Sequence, residues 1–174
     1  MRIPRIVGRM PSGRTHLKIE AILLFGWTAL AGYLLSIQAV TVDAVIAFVL
    51  AYAFSMLFLS PDLDLARSRA SRRWGFARVL WLPYALLFRH RGLSHSPLLG
   101  PLTRILYLLA IALLVLLLVA LISRRPIGVV LPPGHVVLAS LVGLYVPNVT
   151  HVTADTIGSA AKRSRSRRRP RHRL

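Results

Sequence analysis

The chain contains no cysteine, which excludes disulfides, thiolate-held metals and a cysteine nucleophile. Acidic residues are scarce, five Asp and Glu among 174 residues against 23 Lys and Arg, so every carboxylate can be weighed individually. Charged residues make up 16% of the chain, where a soluble domain carries about a quarter. The hydrophobic share of 55% excludes disorder. At roughly 150 residues per domain the length leaves room for one. A chain this apolar with a net charge of +18 reads as a membrane protein whose charge sits in its loops. Any metal must be held by His, Asp or Glu.

Four stretches lack Asp, Glu, Lys and Arg for about the 17–25 residues a bilayer requires: 21–42, 44–61, 105–123 and 126–154. The last contains Pro132-Pro133-Gly134, so its helix should start near Gly134. The first is too long for the apolar core of a secretory signal and reads as a retained helix. Residues 79–88 are apolar but short, which suits a helix lying on the membrane surface or tucked against the bundle. The expected fold is therefore all-α, a polytopic membrane bundle of about four transmembrane helices plus a short interfacial helix. It should occupy residues 1–161, followed by a basic disordered tail at 162–174.

Basic residues set the orientation. Five lie in residues 1–18, seven between Arg67 and Arg91, and eight from Lys162 to Arg173. Only Arg124 and Arg125 fall between the third and fourth spans, and none falls between the first and second. The positive-inside bias puts both termini and the central loop in the cytoplasm of a multi-pass inner-membrane protein.

That topology gathers the rare polar residues. His16 and Glu20 begin the first span, and Asp62 and Asp64 follow the second. His90 and His95 precede the third, and His151 and Asp155 end the fourth. All eight fall at the cytoplasmic end. His151 and Asp155 are four residues apart, one helical turn, and so are His16 and Glu20, although Glu20 is also within reach of Arg14 or Lys18. Asp62 and Asp64 point the same way if the chain is extended after Pro61. Ser96-Pro97 reads as the N-cap and first turn of the third helix, leaving His95 just outside a helix N-terminus that favours anions. Asp43 reads as an N-cap, His135 lies at the outer end, and His172 belongs to the tail.

Imidazole with carboxylate and no sulfur suits one or two divalent ions, zinc first, with iron and manganese also compatible. Such an ion acidifies its water and polarises a phosphoryl or carbonyl oxygen. The expected ligands are His16, Asp62, Asp64, His90, His95, His151 and Asp155, with Asp64, Glu20 or His95 as general base. Arg89 and Arg91 stand where they can grip a phosphate or anchor the topology. No aromatic interleaves the arginines of the tail, so anionic lipid headgroups rather than nucleic acid are its expected partner.

Three segments carry a resemblance. Ser12-Gly13-Arg14-Thr15-His16, Ser60-Pro61-Asp62-Leu63-Asp64 and His90-Arg91-Gly92-Leu93-Ser94-His95-Ser96, with the late His151-Val152-Thr153-Ala154-Asp155, resemble the uncharacterised metal-binding membrane proteins of archaea and cyanobacteria. That group is similar to membrane-bound metal-dependent hydrolases whose bacterial members are controlled by the SOS repressor. The resemblance implies a metal site and hydrolase activity. The helical His-Xaa-Xaa-Xaa-Asp/Glu pairs are also similar to those of zinc-dependent phospholipase C, which would make His16/Glu20 a second metal pair. A site at headgroup level then suits a phospholipid or another phosphate ester. The alternative is a non-catalytic metal-binding scaffold or sensor. A transporter fits less well, because its ligands belong near the bilayer midplane.

Overall fold

The structure, a computed structural model, describes residues 13–60, 63, 69–88, 96–125 and 127–167, with backbone alone for 13, 14, 69 and 161–167. Among the described residues six α-helices follow in order: α1 (Gly13–Ser36), α2 (Val42–Phe58), α3 (Arg69–Arg73), α4 (Trp81–Leu87), α5 (Leu99–Ser123) and α6 (Gly134–Arg167). A 3-10 segment, Gly75–Leu80, joins α3 to α4. Among the described residues there is no strand.

The ends of the helices follow local chemistry. After α1 the chain reverses at Gln38, whose φ of 56° is the left-handed cap conformation. The Ala39 N–H then bonds back to Leu34 O at 2.9 Å and closes the turn. Arg124 ends α5 in the same way, with φ 52°. Ahead of α5 the Ser96 hydroxyl accepts the Leu99 N–H at 3.2 Å, but the helix starts at Leu99 with Leu98 at its cap, two residues later than Ser96-Pro97 suggests. Helix α6 starts at Gly134, directly after Pro132-Pro133, as the sequence suggests. It continues to Arg167, into the basic run.

Helices α2 and α6 lie side by side and run in the same direction. Asp43 meets His135 where both begin, at 2.9 Å. Further along, Ser55 Oγ donates to Leu144 O at 2.7 Å and Asn148 Nδ2 donates to Ser55 Oγ at 2.9 Å. Between these points the backbones touch at Gly143, where a Cβ would stand 2.5 Å from Phe48 O and 3.0 Å from Ala51 Cβ. Only glycine permits that approach, a common device where helices cross in lipid. Pro147, one turn later, lacks the N–H that would bond Gly143 O, which loosens α6 at the crossing. Helix α1 packs antiparallel to this pair, and the Tyr52 hydroxyl donates to Glu20 O at 3.0 Å.

Residues 69–88 form a small aromatic unit beneath the end of α2. The last carbonyls of α2 need partners, and this unit supplies them. Trp74 Nε1 donates to Phe58 O and an Arg73 guanidinium N–H to Leu57 O, both at 2.9 Å. Trp81 packs edge-on against Trp74 at 5.2 Å and Tyr84 at 5.5 Å, contacts worth about 0.5–1.5 kcal/mol each beyond burial. Helix α5 joins at its first turns, where Tyr84 and Thr103 share a hydrogen bond and the Tyr145 hydroxyl donates to Leu98 O. Its later turns stand apart, exposing Leu113, Leu117 and Leu121.

Burial is inverted relative to a soluble domain. Inside lie His16, Glu20, Ser55, Arg104, Asn148 and His151, while Ile22, Phe25, Leu50, Leu106 and Ile122 face outward. Among the described residues three helical stretches are long and apolar enough to cross a membrane: Thr15–Ser36, Leu99–Ser123 and Gly134–Ala160. The expected second span is shorter: α2 has 17 residues, about 25 Å at 1.5 Å each, the low end of what spans a hydrocarbon core. The interfacial helix expected over 79–88 divides, with Val79 and Leu80 in the 3-10 turn and α4 starting at Trp81. Helix α1 starts well before the apolar run at 21, because His16 and Glu20 lie on its buried face.

Candidate metal centre

Four polar side chains meet where the start of α1 passes the later turns of α6. His16 Nε2 lies 3.0 Å from Asp155 Oδ1, and His151 Nδ1 lies 3.0 Å from Glu20 Oε1. The pairing is crosswise, and register explains it. On antiparallel helices a four-residue advance along one matches a four-residue retreat along the other, so His16 meets Asp155 and Glu20 meets His151. His151 also reaches back along its own helix, its Nε2 lying 3.9 Å from Asp155 Oδ2. The two imidazoles stack at 4.2 Å with planes 21° apart.

His16, His151 and Asp155 each offer a ligand atom, and these atoms lie within 4.8 Å of one another. Two ligands at about 2.1 Å from one tetrahedral ion sit roughly 3.4 Å apart. The histidine–carboxylate separations of 3.0 and 3.9 Å bracket that value. The outer hydrogen bond fits as well. A carboxylate on His151 Nδ1 fixes the proton there and leaves the Nε2 lone pair facing Asp155, the arrangement usual behind a metal-bound imidazole. His16 Nδ1 is buried and finds no partner among the described residues. An N₂O donor set of this kind fits a divalent ion such as zinc, iron or manganese.

Burial is uneven around the cluster. The side chains of His16, Glu20 and His151 are 5–6% exposed, whereas that of Asp155 is 40% exposed. The histidine wall is sealed between helices, and the carboxylate side keeps a route to solvent.

The family of uncharacterized metal-binding proteins (DUF2227) matches residues 11–165, nearly the whole chain. The chain belongs to this family. Metal binding is thus a family property, and the matched region includes all of His16, Glu20, His151 and Asp155. The chain is also similar to an uncharacterized protein of Aquifex aeolicus (strain VF5), 47% identical over 66 residues, which is 38% of this chain and 47% of that protein. The match spans about half that relative's length. No solved structure matches the chain.

Of the eight residues that the topology gathers, the structure brings four together: His16, Glu20, His151 and Asp155. Asp62, Asp64, His90 and His95 lie outside the described residues, as do Arg89, Arg91 and His172. Glu20 Oε1 lies 3.0 Å from His151 Nδ1, a partner that spacing on one helix does not reveal. It is buried, without the exposure of Asp155.

Sequence reasoning missed a second polar network beside the cluster. Arg104, 1% exposed, donates to Asn148 Oδ1 at 2.6 Å and to Leu59 O at 3.3 Å. Asn148 continues to Ser55 and Leu144 O, and lies one turn before His151 on α6. Arg104 thereby ties the start of α5 to the end of α2 and to the turn carrying the metal-site histidine. Its position inside an otherwise uncharged stretch was the available signal, because an arginine there needs buried partners. Asp43 and His135, read separately from the sequence, bond each other at the opposite end of the bundle. Asp43 lies within the first turn of α2 rather than at its cap, where Thr41 stands.

Proposed function

We propose that the protein is a multi-pass membrane hydrolase that uses a divalent ion at its cytoplasmic face, acting on a phospholipid or another phosphate ester. The observation that carries the reading is the uneven burial of the cluster: two sealed imidazoles beside a carboxylate open to solvent. Structural metal sites are closed by protein ligands, whereas catalytic ones keep a position for water or substrate. His16, His151 and Asp155 hold the ion, and Glu20 orients His151. Asp62, Asp64, His90 and His95 complete or surround the site, with Asp64 or His95 as general base. A divalent ion there supplies a Lewis acid for the phosphoryl oxygen and a water acidified towards neutrality.

Several features support the membrane part. The exterior is apolar around a polar interior, and α2, a mostly apolar helix of 17 residues at the low end of spanning length, is taken as a fourth crossing. Four crossings put the starts of α1 and α5 and the ends of α2 and α6 on one side, the side that the basic segments mark as cytoplasmic. The ligands then sit at headgroup level, where a lipid ester is at hand. A site at the start of α1 and the end of the apolar part of α6, away from the bilayer midplane, speaks against a transport pathway.

The test is metal content and turnover together. Purified wild type should carry near-stoichiometric divalent ion, and His151→Ala and Asp155→Ala should lose most of it. Wild type should also release headgroup or phosphate from a phospholipid or phosphodiester panel, and a chelator should abolish that release. Stoichiometric metal without turnover on any ester overturns the hydrolase and leaves a metal-stabilised scaffold or sensor.

A further inference from the structure

A cleft of about 760 Å³ opens in the 69–88 unit, apart from the residues that hold the proposed ion. Arg72 and Arg78 line it, with Trp81, Leu63, Val79 and Leu82. Three observations point to its occupant. The first is charge: Arg72 and Arg78 are exposed, and neither pairs with a carboxylate among the described residues. The second is an orphan donor. Trp81 is 2% exposed, and its Nε1 is buried with no hydrogen-bond partner among the described residues. A buried N–H left without an acceptor costs about 1–3 kcal/mol, so a ligand oxygen there recovers a real deficit. The third is the surroundings. Phe76 is fully exposed, and Val79 and Leu82 turn apolar surface outward at the same cleft.

An acceptor for an indole N–H, flanked by two guanidinium groups and an apolar floor, has the chemistry of a phosphate ester carrying hydrocarbon. We infer that this cleft binds the headgroup of an anionic phospholipid, with Arg72 and Arg78 on the phosphate, Trp81 Nε1 donating to one of its oxygens, and the acyl chains running over Val79 and Leu82. A free phosphate would use the arginines but leave the apolar surface uncovered. The position agrees: Arg73 and Trp74 of the same unit cap the end of α2, where a crossing helix leaves the hydrocarbon. The unit thus anchors the bundle to the leaflet that the basic segments face. The inference goes beyond the hydrolase reading and does not depend on it, because no residue named for the cleft is a metal ligand.

The experiment is native mass spectrometry of the full chain released from detergent micelles, metal-loaded and chelator-treated, titrated with phosphatidylglycerol, phosphatidylcholine, or glycerol 3-phosphate. Wild type should retain one phosphatidylglycerol at least tenfold more tightly than phosphatidylcholine, with and without metal, and glycerol 3-phosphate should not compete at equal concentration. The exposed double variant Arg72→Gln/Arg78→Gln should erase that preference while keeping the wild-type melting temperature. Trp81→Phe, which keeps the ring and removes the donor, should weaken retention about tenfold, as expected for one hydrogen bond to a charged group. Equal retention of the two lipids overturns the inference, as does an undiminished preference in the arginine double variant. Effective competition by glycerol 3-phosphate would show an anion site without lipid selectivity and overturns it too.

Discussion

The hydrogen bond between Glu20 and His151 makes a quantitative demand on metal affinity. Glu20 Oε1 lies 3.0 Å from His151 Nδ1, and a carboxylate there favours the tautomer whose Nε2 can bind an ion. Glu20→Gln keeps the shape and removes the charge. A hydrogen bond to a charged group is worth about 1.5–3 kcal/mol and a neutral one about 0.5–1.5, so the change loses about 1–1.5 kcal/mol. At about 1.4 kcal/mol per decade, zinc should bind roughly tenfold more weakly. Glu20→Ala goes further, since the imidazole is then free to move its proton to Nε2 and donate to Asp155. An ion must reverse that tautomer and bind beside an unsatisfied buried N–H, which brings the loss towards about a hundredfold, the upper range for residues that orient metal-bound histidines. The assay is competition for zinc against a chromogenic chelator, with purified protein in detergent. His16→Ala and Asp155→Ala set the floor, and Asp43→Asn, at the far end of the bundle, should match wild type. Wild-type affinity in both Glu20 variants would refute the reasoning, because the carboxylate would then not govern the histidine it touches.

Further outcomes follow from the packing. Gly143→Ala drives a Cβ to 2.5 Å from Phe48 O, so α2 and α6 must part; thermal unfolding should show a loss of about 1–3 kcal/mol. Gly32→Ala on α1, with nothing within 4 Å, should be neutral or stabilising by up to about 1 kcal/mol in the same melt. Arg104→Leu leaves Asn148 Oδ1 and Leu59 O without their buried donor, which should cost about 2–4 kcal/mol, and Arg104→Lys should recover only part of it. Zinc at about a hundred times its dissociation constant should raise wild-type stability by about 2.7 kcal/mol, and His151→Ala should lose that gain.

What the sequence disclosed and what it hid divide along a physical line. Period and composition are local, so α1, α5, α6 and the start at Gly134 were readable from charge-free runs and a Pro-Pro-Gly break. Convergence was readable in part: of the eight polar residues placed at matching ends of the apolar runs, the four that the structure describes do meet. Which partner each would take was not. Spacing on one helix sets Glu20 near His16, but only the antiparallel packing of α1 against α6 brings Asp155 to His16 and His151 to Glu20. The same limit hid the network of Arg104, Asn148 and Ser55. None of the three is informative alone, and they meet only because α2 and α6 close to backbone contact at Gly143. That contact aligns the helix carrying Ser55 with the one carrying Asn148 and His151. Tyr52, four residues after Phe48 on the same helix, holds Glu20 O from the other side. The proposed metal centre therefore rests on a glycine with no chemistry of its own. Widening the α2–α6 seam moves Tyr52, and with it the turn of α1 that carries Glu20. A Gly143→Ala protein that still folds should accordingly bind zinc more weakly than its small loss of stability alone would suggest. Retention of full zinc affinity in that variant would mean that α1 and α6 build the site without help from α2.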